Sequence, residues 1–117
     1  MPGREREQNL AATSSVTMGA SLTATTSVGP DDGKGPANWA IDTVLWQTTR
    51  PGVAPVPRLQ VYQDSTDPGG IQVNSYDGSF GQAVGELTIS RGNKIIAVWT
   101  GGQAGDVCSI TVTGKKW

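Results

Sequence analysis

The stretch that decides the fold is Val107–Thr113 (VCSITVT), in which apolar and hydroxyl side chains alternate along the chain. One parity is apolar and the other is polar: Cys108, Ile110 and Val112 against Ser109, Thr111 and Thr113. Because successive side chains of a strand point to opposite faces, this pattern predicts a strand with one face buried and the other in water.

Working outward, Lys94–Thr100 is an equally clear strand, and Arg91–Asn93 before it predicts a tight hairpin loop, because Gly-Asn tolerates positive φ. Residues 58–63 alternate cleanly, residues 85–90 carry apolar side chains on one face, and residues 71–76 form a weaker strand candidate. Residues 38–48 carry apolar side chains on both parities and are interrupted by Asp42, which predicts a central strand with both faces partly covered.

Residues 13–28 predict one further strand, because its apolar side chains fall on even positions: Val16, Met18, Ala20, Leu22 and Ala24. Residues 29–36, 64–70 and 76–81 are rich in Gly, Pro, Asp and Ser and predict loops and turns. The prolines of residues 51–57 predict a surface crossover or an edge, since proline cannot donate to a sheet.

Seven or eight short strands with no helical periodicity favour an all-β fold, an antiparallel β-sandwich or jelly roll. A small closed barrel is the alternative that periodicity leaves open. With 117 residues the chain has room for one domain, which we place at residues 13–117. Residues 1–12 are polar and predict a flexible N-terminal arm, with a short exposed helix as the alternative.

Charge and cysteine content limit the partners. The formal net charge of −1 offers no attraction for DNA or RNA, and the single cysteine excludes a disulfide within the chain. No apolar run follows the charges of the first residues, so we expect neither a secretion signal nor a membrane span. We therefore expect no nucleic-acid partner and no membrane partner.

Catalytic groups are scarce. The chain has no histidine, which excludes Ser-His-Asp and Cys-His nucleophile systems, and one cysteine alone cannot make a zinc site. The remaining acids lie mostly in turn sequences, where carboxylates cap the backbone, and these are Asp42, Asp64, Asp67, Asp77, Glu86 and Asp106. Oxygen-rich loops at Asp31–Asp32 and Asp64–Asp67 do not match a calcium-binding EF-hand loop. We predict no enzyme activity, no cofactor and no metal site.

Aromatic residues suggest where contacts form. Trp39, Trp46 and Trp99 fall inside predicted strands and are expected in the core, as is Cys108. Trp117, which follows Lys115 and Lys116, is a candidate for docking on a neighbouring subunit. The candidate interface residues are Arg4, Arg6, Leu10 and Trp117.

Several segments taken together resemble a known family. They are Leu59–Tyr62 (LQVY), Asp77–Gly81 (DGSFG), Gly92, Ile95–Gly102 (IIAVWTGG), Gly105 and Thr111–Gly114 (TVTG). This pattern, which covers residues 38–114, resembles the small β-sandwich virion proteins of tailed bacteriophages, especially those infecting actinobacteria. The resemblance implies a non-enzymatic virion component and brings no catalytic residues with it.

The resemblance therefore predicts a minor tail or tail-tip protein, located in the virion, assembled in the host cytoplasm and forming homo-oligomeric contacts. Its partners would be other virion proteins of the tail or the major capsid protein. A capsid decoration protein is the first alternative. A carbohydrate-binding sandwich is the second, and it requires Trp39, Trp46 or Trp99 to be exposed.

Overall fold

The computed structural model describes residues 7–30, 35–66 and 68–117, and its regular elements are eight strands and one short 3-10 turn. The strands are β1 (Gln8–Thr17), β2 (Thr23–Val28), β3 (Asn38–Thr48), β4 (Arg58–Gln63), β5 (Ile71–Ser75), β6 (Phe80–Ser90), β7 (Ile95–Thr100) and β8 (Val107–Lys116). The turn spans Pro68–Gly70. In this described part of the chain, no helix is long and apolar enough to cross a membrane.

The strands form two antiparallel four-stranded sheets. Sheet A has the order β1-β8-β3-β6, and sheet B has the order β2-β7-β4-β5. First pairs with last, second with seventh, third with sixth and fourth with fifth, as in a long hairpin rolled up on itself. This is the jelly-roll arrangement of a β-sandwich. The predicted fold class is confirmed, and the open sandwich replaces the barrel alternative.

The core lies between the two sheets and is built from the inward parity of each strand. Leu59, Ile95, Trp99 and Ile110 are fully buried there. Cys108, Ile110 and Val112 point inward, as their alternation predicts. Burial of such large apolar side chains is the main favourable term in folding.

The indoles of two core tryptophans also hydrogen-bond to the turn between β5 and β6. Trp46 Nε1 donates to the carbonyl of Asp77 at 3.0 Å, and Trp99 Nε1 donates to the carbonyl of Gly78 at 2.9 Å. Trp39 and Trp46 are 8% and 6% exposed, and Trp99 is not exposed at all. The three tryptophans are therefore core residues, as predicted, and none of them offers an open ring for stacking against a sugar.

The predicted single strand at residues 13–28 is wrong. The chain leaves sheet A after Thr17, turns through residues 18–22 and enters sheet B at Thr23. The amide of Leu22 donates to the carbonyl of Gly19 at 3.0 Å, and Leu22 has a φ of 60°, so the backbone turns here. Even-numbered apolar residues continue through the turn, so a period-two pattern does not reveal where the strand ends.

The hairpin predicted at Arg91–Asn93 is also wrong, although a turn does form there. The amide of Asn93 donates to the carbonyl of Ser90 at 2.9 Å. The strands that it joins, β6 and β7, belong to different sheets and do not pair with each other. The turn therefore carries the chain across the sandwich.

Strand β3 is central in sheet A, as predicted, but the reason for its mixed parity differs. The register shifts between Ile41 and Thr43, so Asp42 forms a β-bulge. Inward positions are odd before the bulge (Trp39, Ile41) and even after it (Val44, Trp46). One face is buried throughout, and the bulge moves the burial from one parity to the other.

The predicted arm at residues 1–12 is too long. Strand β1 begins at Gln8 and pairs with β8 from its first residue, so residues 8–12 are part of sheet A. The sequence of residues 8–12 does not indicate a strand, because only one residue of the segment, Leu10, is buried. Residues 1–6 lie outside the described part of the chain.

Candidate interaction surface

The outer face of sheet A is dominated by small hydroxyl side chains. Thr13 and Ser15 on β1 lie opposite Thr111 and Ser109 on β8. The hydroxyl oxygens of Thr13 and Thr111 are 2.9 Å apart, and those of Ser15 and Ser109 are 3.0 Å apart, so both pairs are hydrogen-bonded. We call these four residues, with Thr43 and Thr113, the hydroxyl face. None of the six carries a charge.

An apolar strip borders the hydroxyl face on the edge strand β6. Phe80 is 61% exposed and Val84 is 77% exposed, and both side chains are on the outward parity of the strand. Phe80 and Leu45 line a shallow pocket with Trp46, Gln47, Ser109 and Thr111. Isolated exposed apolar residues are common on soluble proteins, but two large ones on one strand face beside a row of hydroxyl side chains resemble a contact surface.

The side of the sandwich between β5 and β6 forms a cleft. Its lining includes Val44, Val73, Ala83 and Leu87. Of these, Val73, Ala83 and Leu87 are only partly buried against the core. On the opposite side of the sandwich, the hydroxyls of Ser14 on β1 and Thr26 on β2 are hydrogen-bonded, so the two sheets are joined there.

Tyr76 is the most exposed aromatic residue of the described chain, at 79%. The guanidinium of Arg58 lies 5.2 Å from the centre of its ring, within the range of a cation–π contact. Arg58 Nε also donates to Asn74 Oδ1 at 3.0 Å, which orients the guanidinium. The ring is thereby held on the surface beside β5.

The acidic side chains do not converge on a site. Among the described residues, no group of three or more His, Cys, Asp or Glu is placed to hold a metal ion. Asp77 accepts from the Ser79 amide at 3.1 Å and from its hydroxyl at 2.6 Å, which is the turn-capping role that its sequence context predicts. Asp67 and the Asp31–Asp32 pair lie outside the described residues.

Asp106 has a structural partner. Arg50 Nε donates to Asp106 Oδ1 at 2.9 Å, and Arg50 Nη2 donates to Oδ2 at 3.3 Å. The hydrogen bond from Arg50 is the main reason that the pKa of Asp106 lies below its ordinary value. The pair ties the segment after β3 to the segment before β8, so it serves the fold.

Cys108 is fully buried, as predicted. Burial in the core, with a smaller contribution from the charge of Asp106, raises the pKa of its thiol to about 11. A thiol of this kind remains protonated near neutral pH and is a poor nucleophile. The residue behaves as a small apolar side chain.

The candidate interface residues have different positions. Leu10 is 3% exposed and packs in the core of its own chain, so its side chain is not on the surface. Trp117 is 38% exposed, while its backbone exchanges two hydrogen bonds of 3.0 Å with Asn38. Arg4 and Arg6 lie outside the described residues. The structure does not bring Leu10 and Trp117 together as one exposed surface.

Sequence reasoning missed Phe80 and Val84. Phe80 was included in a predicted turn at residues 76–81, and the strand was predicted to begin only at Gly85. A signal was present: the outward positions Phe80, Gln82 and Val84 alternate with the small residues Gly81 and Ala83. Gly81 is small because the Trp46 ring lies directly against it.

Comparison with known proteins gives a likeness of fold. No protein-family model matches the chain, and no curated protein matches its sequence. The crystal structure of FlhE superimposes with a TM-score of 0.50 and 13% identity, covering 92% of this chain and 96% of that one. An exo-β-1,3-galactanase from Phanerochaete chrysosporium matches with a TM-score of 0.41 and 14% identity, over 94% of this chain and 28% of its own. The superposition with FlhE shows a similar small β-rich fold and nothing about activity.

Proposed function

We propose that this protein is a non-enzymatic assembly domain that contacts other protein subunits through the outer face of sheet A. The observation that carries the proposal is the exposure of Phe80 and Val84 beside the uncharged hydroxyl face. Interfaces are depleted in charge at their centres and enriched in aromatic residues, which fits this surface. Among the described acids, Asp77 caps a turn, Asp106 pairs with Arg50, and Asp42 Oδ1 accepts a hydrogen bond from the Thr113 hydroxyl at 3.2 Å. These roles are consistent with a binding domain.

The specific role proposed is that of a virion component of a tailed bacteriophage, in the tail or at its tip. Capsid decoration is the alternative location. The sequence resemblance at residues 38–114 supports this role, and jelly rolls are a common fold of viral capsid proteins. The same fold also occurs in lectins, so the argument rests on the surface together with the resemblance.

A test of the assembly role uses the full chain and light scattering over a range of concentrations. We expect the wild type to bind isolated virion proteins, and the double variant Phe80→Ser/Val84→Ser to bind them at least about tenfold more weakly. Val53→Ser is the matched control, because Val53 is 49% exposed but lies in the loop between β3 and β4. Equal binding by the double variant and the wild type would refute the proposed surface.

The virion role has its own measurement, which is the copy number of the protein in purified phage particles. A few copies per particle support the tail tip, and hundreds support the capsid. Absence from purified particles refutes both locations. Binding of a neutral glycan that protects Tyr76 and Phe80 from solvent would instead favour the carbohydrate-binding alternative.

A further inference from the structure

Strand β1 is an edge of sheet A, with β8 on one side and no paired strand on the other among the described residues. Its ten residues pair with β8 in continuous register, with no bulge. The strand contains no charged residue, no glycine and no proline. Long, flat, uncharged edges are templates for pairing with another strand.

The backbone groups that face this open edge can be identified. The amide of Met18 donates to the carbonyl of Asp106 at 2.8 Å, so residue 18 directs its backbone groups toward the β8 side. Backbone groups alternate sides along a strand, and even positions of β1 therefore face β8. Odd positions, from Asn9 to Thr17, present their N–H and C=O groups to the open edge.

The other pairing of β8 gives the same assignment. Trp117 exchanges backbone hydrogen bonds with Asn38, so odd positions of β8 face β3 and even positions face β1. Even positions of β8 lie opposite even positions of β1, as in Ile110↔Ser14. The hydrogen bond between Ser14 and Thr26 joins two side-chain hydroxyls. It leaves the backbone groups at the odd positions of β1, which face the open edge, without a partner from β2.

The opposite edge of sheet A, strand β6, is protected against pairing with another strand. Across from Asp42, β6 carries the two residues Gly85 and Glu86, so this edge has both a bulge and a charge. Gln63 Nε2 also donates to the carbonyl of Thr88 at 3.3 Å, and by the same alternation that carbonyl points away from β3. Bulges, charges and covering groups are the usual protection of sheet edges, and within residues 7–30, 35–66 and 68–117 the open edge of β1 has none of them.

We propose that β1 pairs with β1 of a second copy of this chain, antiparallel, about a two-fold axis at Thr13. This inference goes beyond the proposed assembly function, because it uses the β1 edge of sheet A and not the Phe80–Val84 strip. Residues opposite each other in a sheet must point to the same face, so odd positions meet odd positions. A two-fold axis at Thr13 pairs Asn9 with Thr17 and Ala11 with Ser15 of the other copy. This register uses every residue of β1 whose backbone N–H and C=O groups face the open edge.

Charge favours a second copy as the occupant. Because β1 is uncharged throughout, its symmetric mate brings no like charges together, and no oppositely charged partner is required. The contact is closed by two-fold symmetry, so it ends at a dimer with one continuous eight-stranded sheet. The two hydroxyl faces then form a single surface, with a Phe80–Val84 strip at each outer margin.

Cysteine cross-linking tests the register directly. At the axis, Thr13 meets itself as a hydrogen-bonded pair with Cα atoms about 5.5 Å apart, which suits a disulfide. We expect Thr13→Cys to form a covalent dimer under oxidised glutathione, at protein concentrations that give little random cross-linking. Ala11→Cys is the matched control, because its two copies would lie about 14 Å apart and remain unlinked. Cys108 is buried and does not compete.

A second readout needs no cross-link. Thr13→Pro removes an amide that faces the open edge, so the fold is retained while self-association weakens at least about tenfold, measured by light scattering. Thr13→Ala keeps the amide and should associate as the wild type does. A Thr13→Cys chain that stays monomeric, or an Ala11→Cys chain that cross-links equally well, would overturn this pairing.

The two proposals fail separately. If Thr13→Cys does not cross-link while Phe80→Ser/Val84→Ser still weakens binding to virion proteins, the β1 pairing is wrong and the assembly function stands. If Thr13→Cys cross-links in a protein that is absent from virions, the pairing stands and the virion role is wrong.

Discussion

At Gly114 the backbone of β8 comes so close to β3 that no side chain fits. A Cβ built there would lie 2.0 Å from the carbonyl oxygen of Ala40. Gly114 pairs with Ile41, immediately before the Asp42 bulge. The shift of register at Asp42 thus occurs where β8 carries its only glycine.

We therefore expect Gly114→Ala to lower the free energy of unfolding by about 3 kcal/mol, because backbone atoms must move to admit the methyl group. Urea denaturation measures this change. Gly85→Ala is the control, since a Cβ at Gly85 meets no atom within 4 Å, and its effect should stay within about 0.5 kcal/mol. Equal stability of the two variants would show that β3 and β8 do not approach as described.

The Arg50–Asp106 pair makes stability depend on acid. The hydrogen bond from Arg50 lowers the pKa of Asp106 in the folded state relative to the unfolded value of about 3.9. The contribution of this hydrogen bond to the free energy of unfolding is complete at pH values above the unfolded-state pKa. It is lost as the pH falls through the lower pKa of the folded state.

Asp106→Asn should therefore be less stable than the wild type at pH 7, and the difference should shrink between about pH 5 and about pH 2. Urea midpoints measured across this range test the expectation. Glu86→Gln removes an exposed carboxylate and is the control. A difference between Asp106→Asn and the wild type that stays constant with pH would contradict the role of the pair.

At the scale of elements, sequence alternation located most strands but not their ends. The inward parity of β8 was correct because three consecutive apolar residues at spacing two face one core. The alternation predicts one strand over residues 13–28 because Ala20 and Leu22 keep the same parity through a turn in which both are exposed. An alternating pattern records the face of each residue and carries no information about which sheet it enters.

Strand β1 offers an element-scale prediction that separates its two sides. Ser14→Pro removes an amide directed at β8 and should destabilise the fold by about 3 kcal/mol or more, measured by thermal unfolding. Thr13→Pro removes an amide directed at the open edge and should cost much less in the monomer. A reversed order of stability for these neighbouring variants would show that the assignment of β1's two sides is wrong.

At the scale of the whole molecule, the nested pairing joins residues that are far apart in the chain. Gln8 lies opposite Lys116, and Thr23 lies opposite Thr100. The fold class was predictable because each strand carries its own signature, whereas the pairing was not, because it depends on which loops cross the sandwich. The candidate surface was missed for a related reason: exposure of Phe80 depends on which neighbours cover it.

Such distant pairing slows folding. We expect refolding from urea in milliseconds to seconds, as for other all-β sandwiches, rather than in the microseconds of small helical bundles. Stopped-flow tryptophan fluorescence is a suitable probe because Trp99 is fully buried in the native state. Completion of refolding within microseconds would be incompatible with nucleation across this topology.

The position of β8 between β1 and β3 also has a consequence for biosynthesis. During translation, β1 and β3 emerge long before the strand that separates them, and the backbone groups that will pair with β8 are hydrated until then. Sheet A can close only after Lys116 has left the exit tunnel. Until β8 emerges, the nascent chain is therefore exposed to mispairing with other nascent chains.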